Sequence, residues 1–117
     1  MALGAVASME VVRERVLEAA PGRRWRQVAE MAVKHEASRC LTYHALRLFA
    51  NGQDALREVT EAKLLSQRAA FEVADIAFRL LDGDDEIARV LRDTRLGPIG
   101  GGTDEVMKEI LGKQLGL

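Results

Sequence analysis

Asp54-Ala55-Leu56-Arg57-Glu58-Val59-Thr60-Glu61-Ala62-Lys63-Leu64-Leu65-Ser66-Gln67-Arg68-Ala69-Ala70-Phe71-Glu72-Val73-Ala74-Asp75-Ile76-Ala77-Phe78-Arg79-Leu80-Leu81 runs without a glycine or proline. Its apolar residues keep helical period. Val59, Ala62, Ala69, Val73, Ile76 and Leu80 form one stripe, and Leu64, Phe71 and Phe78 form a second at intervals of seven. A helix with two apolar stripes packs against more than one neighbour, which places it inside a bundle or at an oligomer interface. Asp54 is the expected cap, and the helix is expected to end near Leu81.

Reading outward, glycine and proline supply the punctuation. Upstream, Gly52 follows Asn51 as a C-terminal cap, so Arg24 to Asn51 reads as a long second helix. Before it, Met1 to Ala20 reads as a first helix ended by Pro21-Gly22. Its start is rich in small residues, and Val6, Met9 and Val16 give it a weak apolar stripe. Downstream, Asp82-Gly83-Asp84-Asp85 breaks the chain, with Asp84 or Asp85 as the cap of a short helix carrying Ile87, Val90 and Leu91. Gly97-Pro98 ends that helix. Gly100-Gly101-Gly102 then leads into Thr103 as N-cap, with Asp104 and Glu105 in a first turn whose dipole favours acids. Val106, Met107, Ile110, Leu111 and Leu115 complete a last helix. Nothing alternates with strand period. The expected fold is all-α, an up-and-down four-helix bundle of three long helices and a shorter C-terminal one, with a small extra helix, in one domain over 1–117.

Composition agrees. Of the 117 residues, 48% are hydrophobic and only 4% aromatic, the Ala-, Leu-, Val-, Glu- and Arg-rich mix of a helical bundle. The 17 basic and 18 acidic residues nearly cancel, which argues against a nucleic-acid partner. No apolar run approaches membrane-spanning length, and the N-terminus does not read as a signal peptide. Cys40 is the single cysteine. It excludes an internal disulfide and points to a reducing cytoplasm.

Several clusters carry residue types capable of chemistry. His35 and His44, nine residues apart on one helix, fall on opposite faces and cannot share a metal. Cys40 and His44 lack a third ligand, so no metal is expected, and a packed thiol with a partly exposed imidazole is the favoured reading. Arg23, Arg24 and Arg26 flank Trp25. A solvated first turn with Trp25 anchored in the core is preferred over an anion contact there. The Asp82, Asp84, Asp85 cluster lacks the spacing of a calcium loop. Arg92, Asp93 and Arg95 read as exposed charges. No triad or meaningful carboxylate pair is present, so no catalytic residue is assigned. The triglycine turn is different. It delivers free N–H groups and a helix dipole to one place, which suits an anion or a nucleotide-like ligand.

Leu91-Arg92-Asp93-Thr94-Arg95-Leu96 and Gly102-Thr103-Asp104-Glu105-Val106 resemble the C-terminal signature of the acyl-CoA dehydrogenase family. Ala29-Glu30-Met31 with Glu36 to Ala45 looks like the second helix of that family's C-terminal domain, and Glu61 to Leu64 with Val73-Ala74-Asp75 looks like the third. The resemblance covers nearly the whole chain, and the first helix resembles its equivalent with the beginning cut off. It implies flavin enzymes in which a glutamate removes the α proton of an acyl-CoA thioester and FAD takes the β hydride. Two further domains precede this one in the family.

On that resemblance, flavin contacts are expected from three loops. The stretch from Ala20 to Trp25 is shortened and lacks the Phe-Gly pair of the first. Arg79, Asp82 and Gly83 stand where the second has Gln and two glycines, so only Gly83 matches. The third, Gly-Thr-x-Glu, is kept, and Gly101, Gly102, Thr103 and Glu105 are its cofactor-binding residues. Gly101 occupies the place of the glutamate base in many members. In others the base falls just before Met1, and Glu10 is the nearest acid. Losing a base alone typically forfeits roughly 10²–10⁴-fold in rate. The expectation is therefore a module that is non-catalytic alone and assembles as a homodimer or higher homo-oligomer. The alternative is a fragment or subunit of an FAD-dependent acyl-CoA dehydrogenase, completed by other domains or a partner chain.

Overall fold

The computed structural model describes residues 1–19 and 24–117. Five helices make up its regular structure: α1 (Ala2–Ala19), α2 (Trp25–Ala50), α3 (Leu56–Leu80), α4 (Asp85–Thr94) and α5 (Asp104–Gln114). The expected break at Pro21-Gly22, and Arg23, lie outside the described residues. No strand occurs among the described residues. The body measures 45 × 25 × 21 Å, and the 25 residues of α3 run along its length. Every other helix packs against α3, and α1 also touches α2 and α4. The two-striped helix is thus the interior one of an all-α bundle.

The core lies where α1, α3 and α4 meet under α2. Met9, Val12 and Val16 of α1, Met31 of α2, Val73 and Ala77 of α3 and Ile87 of α4 are all buried there. Burying each Val, Ile or Met of this set contributes about 1.5–3 kcal/mol. On α3 the first stripe holds for Ala62, Ala69 and Val73, with Ile76 and Leu80 half-buried at its lower end. Val59 departs from it and lies exposed. Leu64, Phe71 and Phe78 of the second stripe are half-buried. Much of α3's inner surface is small, with Ser66, Ala70, Ala74 and Ala77, so neighbouring helices approach closely.

The buried stripe of α2 is Met31, His35, Ser38, Thr42 and Ala45, at helical spacing but mostly polar. Ser38 Oγ donates to the Lys34 carbonyl at 2.8 Å, which satisfies it within its own helix. His35 is held by Arg13 of α1, 3.2 Å from Nδ1, while its Nε2 is buried without a partner among the described residues.

The caps decide where the shorter helices start. Asp84 Oδ1 accepts from the Ile87 N–H at 3.0 Å, and its Oδ2 meets Arg15 of α1 at 3.0 Å, so one carboxylate caps α4 and ties it to α1. Asp54 does not cap α3 as expected. The N-cap is Ala55 without a side-chain bond, and the Asp54 carboxylate, one residue earlier, accepts from the N–H of Leu56, the first residue of α3, at 3.2 Å.

Candidate functional site

The site is built from the strap that joins α4 to α5. After Thr94 the chain makes tight turns. The Gly97 N–H donates to the Thr94 carbonyl at 3.2 Å, and the Gly100 N–H to the Leu96 carbonyl at 2.8 Å. Gly101 and Gly102 then take φ of +69° and +104°, which side chains other than hydrogen rarely tolerate. A Cβ at Gly101 would meet the Met1 thioether, and one at Gly102 the end of Met107. Thr103 caps α5 as expected. Its Oγ1 accepts from the Val106 N–H at 3.3 Å, and its carbonyl from the Met107 N–H at 2.9 Å. The Asp104 N–H closes the strap on the Pro98 carbonyl at 3.0 Å.

The N–H groups of Gly101, Gly102, Thr103 and Glu105 are left without acceptors among the described residues. They belong to the four residues singled out from sequence, and the strap brings all four together. Successive unpaired N–H groups at a left-handed turn form a concavity suited to an oxygen acceptor, reinforced by the α5 dipole. Asp104 Oδ1 is also buried without a donor, in a cleft of about 350 Å³ lined by Arg68, Phe71, Glu72 and Pro98.

Two buried polar residues of α3 hold the strap from beneath. Lys63, only 7% exposed, donates from Nζ to the Gly102 carbonyl at 2.6 Å and reaches the Gly97 carbonyl at 3.4 Å. Gln67, one turn further along, is equally buried and donates from Nε2 to the Met1 carbonyl at 3.1 Å. Its carboxamide fills the space where a side chain at Gly97 would be. Between the start of α1 and the strap lies a cleft of about 330 Å³, walled by Met1, Gly4, Gln67, Asp93, Leu96, Gly97 and Gly100. The sequence reading missed Lys63 and Gln67. The available signal was two polar residues at i, i+4 on the inner side of a bundle helix.

Other candidates fall elsewhere. Arg79, Asp82 and Gly83 lie at the far end of α3, about 24 Å along the helix from Lys63. Arg24 and Trp25 begin α2. The expectation that Trp25 anchors in the core is corrected: its ring is 67% exposed and carries the Arg26 guanidinium 5.2 Å from its centroid. The packed thiol is corrected too. Cys40 is exposed, with Sγ 3.4 Å from a Glu36 oxygen; the His44 imidazole one turn on is exposed as well, while His35 is buried. Arg39 hydrogen-bonds to Glu36 and pulls that carboxyl down to about 2, with the Cys40 thiol adding to the effect. Arg92, Asp93 and Arg95 are exposed, as is Glu10. No group of three metal-ligating side chains occurs among the described residues, and no helix described is long and apolar enough to cross a membrane.

The family profile described as "Acyl-CoA dehydrogenase, C-terminal domain" matches residues 2–116. An acyl-CoA dehydrogenase of Bacillus subtilis is 34% identical over 94 residues, covering 76% of this chain and 25% of its own. Among solved structures, an acyl-CoA dehydrogenase of Geobacillus kaustophilus superposes with a TM-score of 0.87 at 29% identity, covering 99% of this chain and 35% of that one. The FAD complex of PigA superposes with a TM-score of 0.90 at 26% identity, covering 97% and 34%. The chain therefore spans about a quarter of the length of the curated relative it matches.

Proposed function

The chain belongs to the acyl-CoA dehydrogenase family through its C-terminal helical domain, and on that premise we propose that it is an association module, non-catalytic by itself, that assembles as a homodimer or higher homo-oligomer. One observation carries this reading. Met1, Leu3, Leu46, Phe49 and Val59 are each between 42% and 71% exposed, and all five wall one cleft of about 310 Å³. Apolar patches of this kind on folded domains mark places where another protein surface belongs. The residue at one of the family's two base positions fits the same reading. Gly101 stands where the resemblance puts a glutamate, and the Met1 side chain packs over it. A free Cys40 agrees with residence in a reducing cytoplasm. Light scattering at micromolar concentration tests the assembly. The unaltered chain is expected at a dimer mass or above, and Phe49→Ser with Val59→Ser at a lower mass. A monomeric unaltered chain overturns the proposal.

A second reading rests on the strap. The chain is then the flavin-contacting part of an FAD-dependent acyl-CoA dehydrogenase, completed by other domains or a partner chain. The residues fit the polar portion of FAD. Free N–H groups at Gly101, Gly102, Thr103 and Glu105 suit its phosphate and carbonyl oxygens, and the orphaned Asp104 Oδ1 suits a sugar hydroxyl. The flavin would supply hydride acceptance; this chain's residues would bind and orient it. Incubation with FAD, desalting and an absorption spectrum from 300 to 550 nm decide the matter. Near-stoichiometric flavin bands support this reading, and a colourless protein leaves the association reading ahead for the chain by itself.

A further inference from the structure

We infer that Lys63 is the positioning residue of the glycine strap: its buried ammonium fixes the Gly102 carbonyl and thereby aims the Thr103 amide at the ligand side. The inference rests on the reading of the strap as a nucleotide contact, but its structural part stands apart from it.

Lys63 is a cation in an unusual place. It is more than nine-tenths buried, and no carboxylate lies within 4.0 Å of Nζ among the described residues. A buried charge without a counter-ion is expensive unless its donors are taken up. Here the acceptors are backbone carbonyls, Gly102 at 2.6 Å and Gly97 at 3.4 Å. Gly97 follows the end of α4, where carbonyls collect and the helix dipole favours a cation. One side chain of α3 therefore clasps both ends of the strap.

The clasp sets a direction. The 102–103 peptide, like the others among the described residues, is trans, so its carbonyl and N–H point opposite ways. With the Gly102 oxygen drawn inward to Lys63, the Thr103 N–H faces away from α3, and it has no acceptor among the described residues. Without the ammonium, that plane is free to turn, because glycine permits many φ values. A Cβ at Gly101 would also come 3.8 Å from the Lys63 Cε, so the stem of the same residue limits the space at that glycine.

Three measurements test this on the whole chain. In the unaltered protein, the Lys63 ammonium should exchange its protons with water at least tenfold more slowly than those of Lys108 and Lys113. In Lys63→Met, the Gly100 and Asp104 amides should exchange at least tenfold faster, while Val73 and Met31 amides in the core keep their rates. In a Cys40→Ala chain, Lys63→Cys alkylated with 2-bromoethylamine restores an ammonium at the same reach and should restore the slow rates. FAD retention, read by absorbance, should fall about tenfold in Lys63→Met and recover with alkylation. Fast exchange of the Lys63 ammonium overturns the inference, even if the variant does not fold. Unchanged strap amides in Lys63→Met overturn it as well, as does a uniform loss of protection that alkylation does not rescue. If the unaltered chain retains no FAD, the nucleotide reading fails for the chain by itself, and the exchange rates still decide the role of Lys63.

Discussion

Gly97→Ala probes the strap through sterics alone, because Gly97 does not need a positive φ. A methyl group there would land on the Gln67 carboxamide, with Gln67 Cβ itself 3.1 Å away. Gln67 is 7% exposed and donates to the Met1 carbonyl at 3.1 Å, so its amide cannot swing aside without breaking that bond. Overpacking of a tight site costs about 1–3 kcal/mol. The lost hydrogen bond adds about 1 kcal/mol. Together these give about 2–4 kcal/mol. With an unfolding entropy of roughly 2.1 cal/mol/K per residue, a chain of this size loses about 4 °C of Tm per kcal/mol. Thermal unfolding followed by circular dichroism should therefore drop by about 8–16 °C. The decisive comparison is a double-mutant cycle. Adding Gly97→Ala to a Gln67→Ala chain should cost clearly less, since the carboxamide clash is gone and only the 3.1 Å approach to the retained Cβ is left. If Gly97→Ala shifts the midpoint by less than about 2 °C, or costs the same in both backgrounds, the packing argument is wrong.

Thr103→Ala removes the N-cap of α5 and should destabilise by about 0.5–2 kcal/mol, read as a lower urea midpoint, with Thr103→Ser nearly silent. Burial pushes the His35 imidazole below its usual 6.5, and the Arg13 guanidinium beside it pushes the same way. The unfolded chain therefore takes up that proton first. Stability should fall as pH drops through about 6.5 and level off below the folded value; a His35→Gln chain should show a flatter dependence across that window, and an equal slope in both would refute the assignment.

The parts of the fold that were legible share a cause. α3 announced itself because its apolar period survives along the whole helix, and the α4 and α5 starts because Asp84 and Thr103 cap in the ordinary way. α2 was legible in extent but not in facing. Its inward stripe of His35, Ser38 and Thr42 carries little hydropathy: Ser38 satisfies its hydroxyl on its own helix, and Thr42 Oγ1 is buried without a partner among the described residues. Trp25 and Cys40 were misplaced for a related reason. Residue type sets an average burial, and neighbours in space set the actual one. The glycine turn itself was readable because Gly101 and Gly102 supply backbone that other residues rarely adopt, and Thr103 supplies an ordinary cap. Lys63 was not, because its signal was only a polar pair with Gln67 on the inner side of α3, which does not show that its ammonium reaches two carbonyls.

α5 contacts α3 and no other helix, and none of its residues is fully buried. Elements with so little buried area open at small fractions of the global stability. The last helix should thus detach as a unit long before the bundle melts, carrying half of the glycine turn with it. A protease would find its first cut there. Anything that grips the turn must also hold α5 down, so protection of this terminal segment from cleavage reports occupancy without any spectroscopic signal.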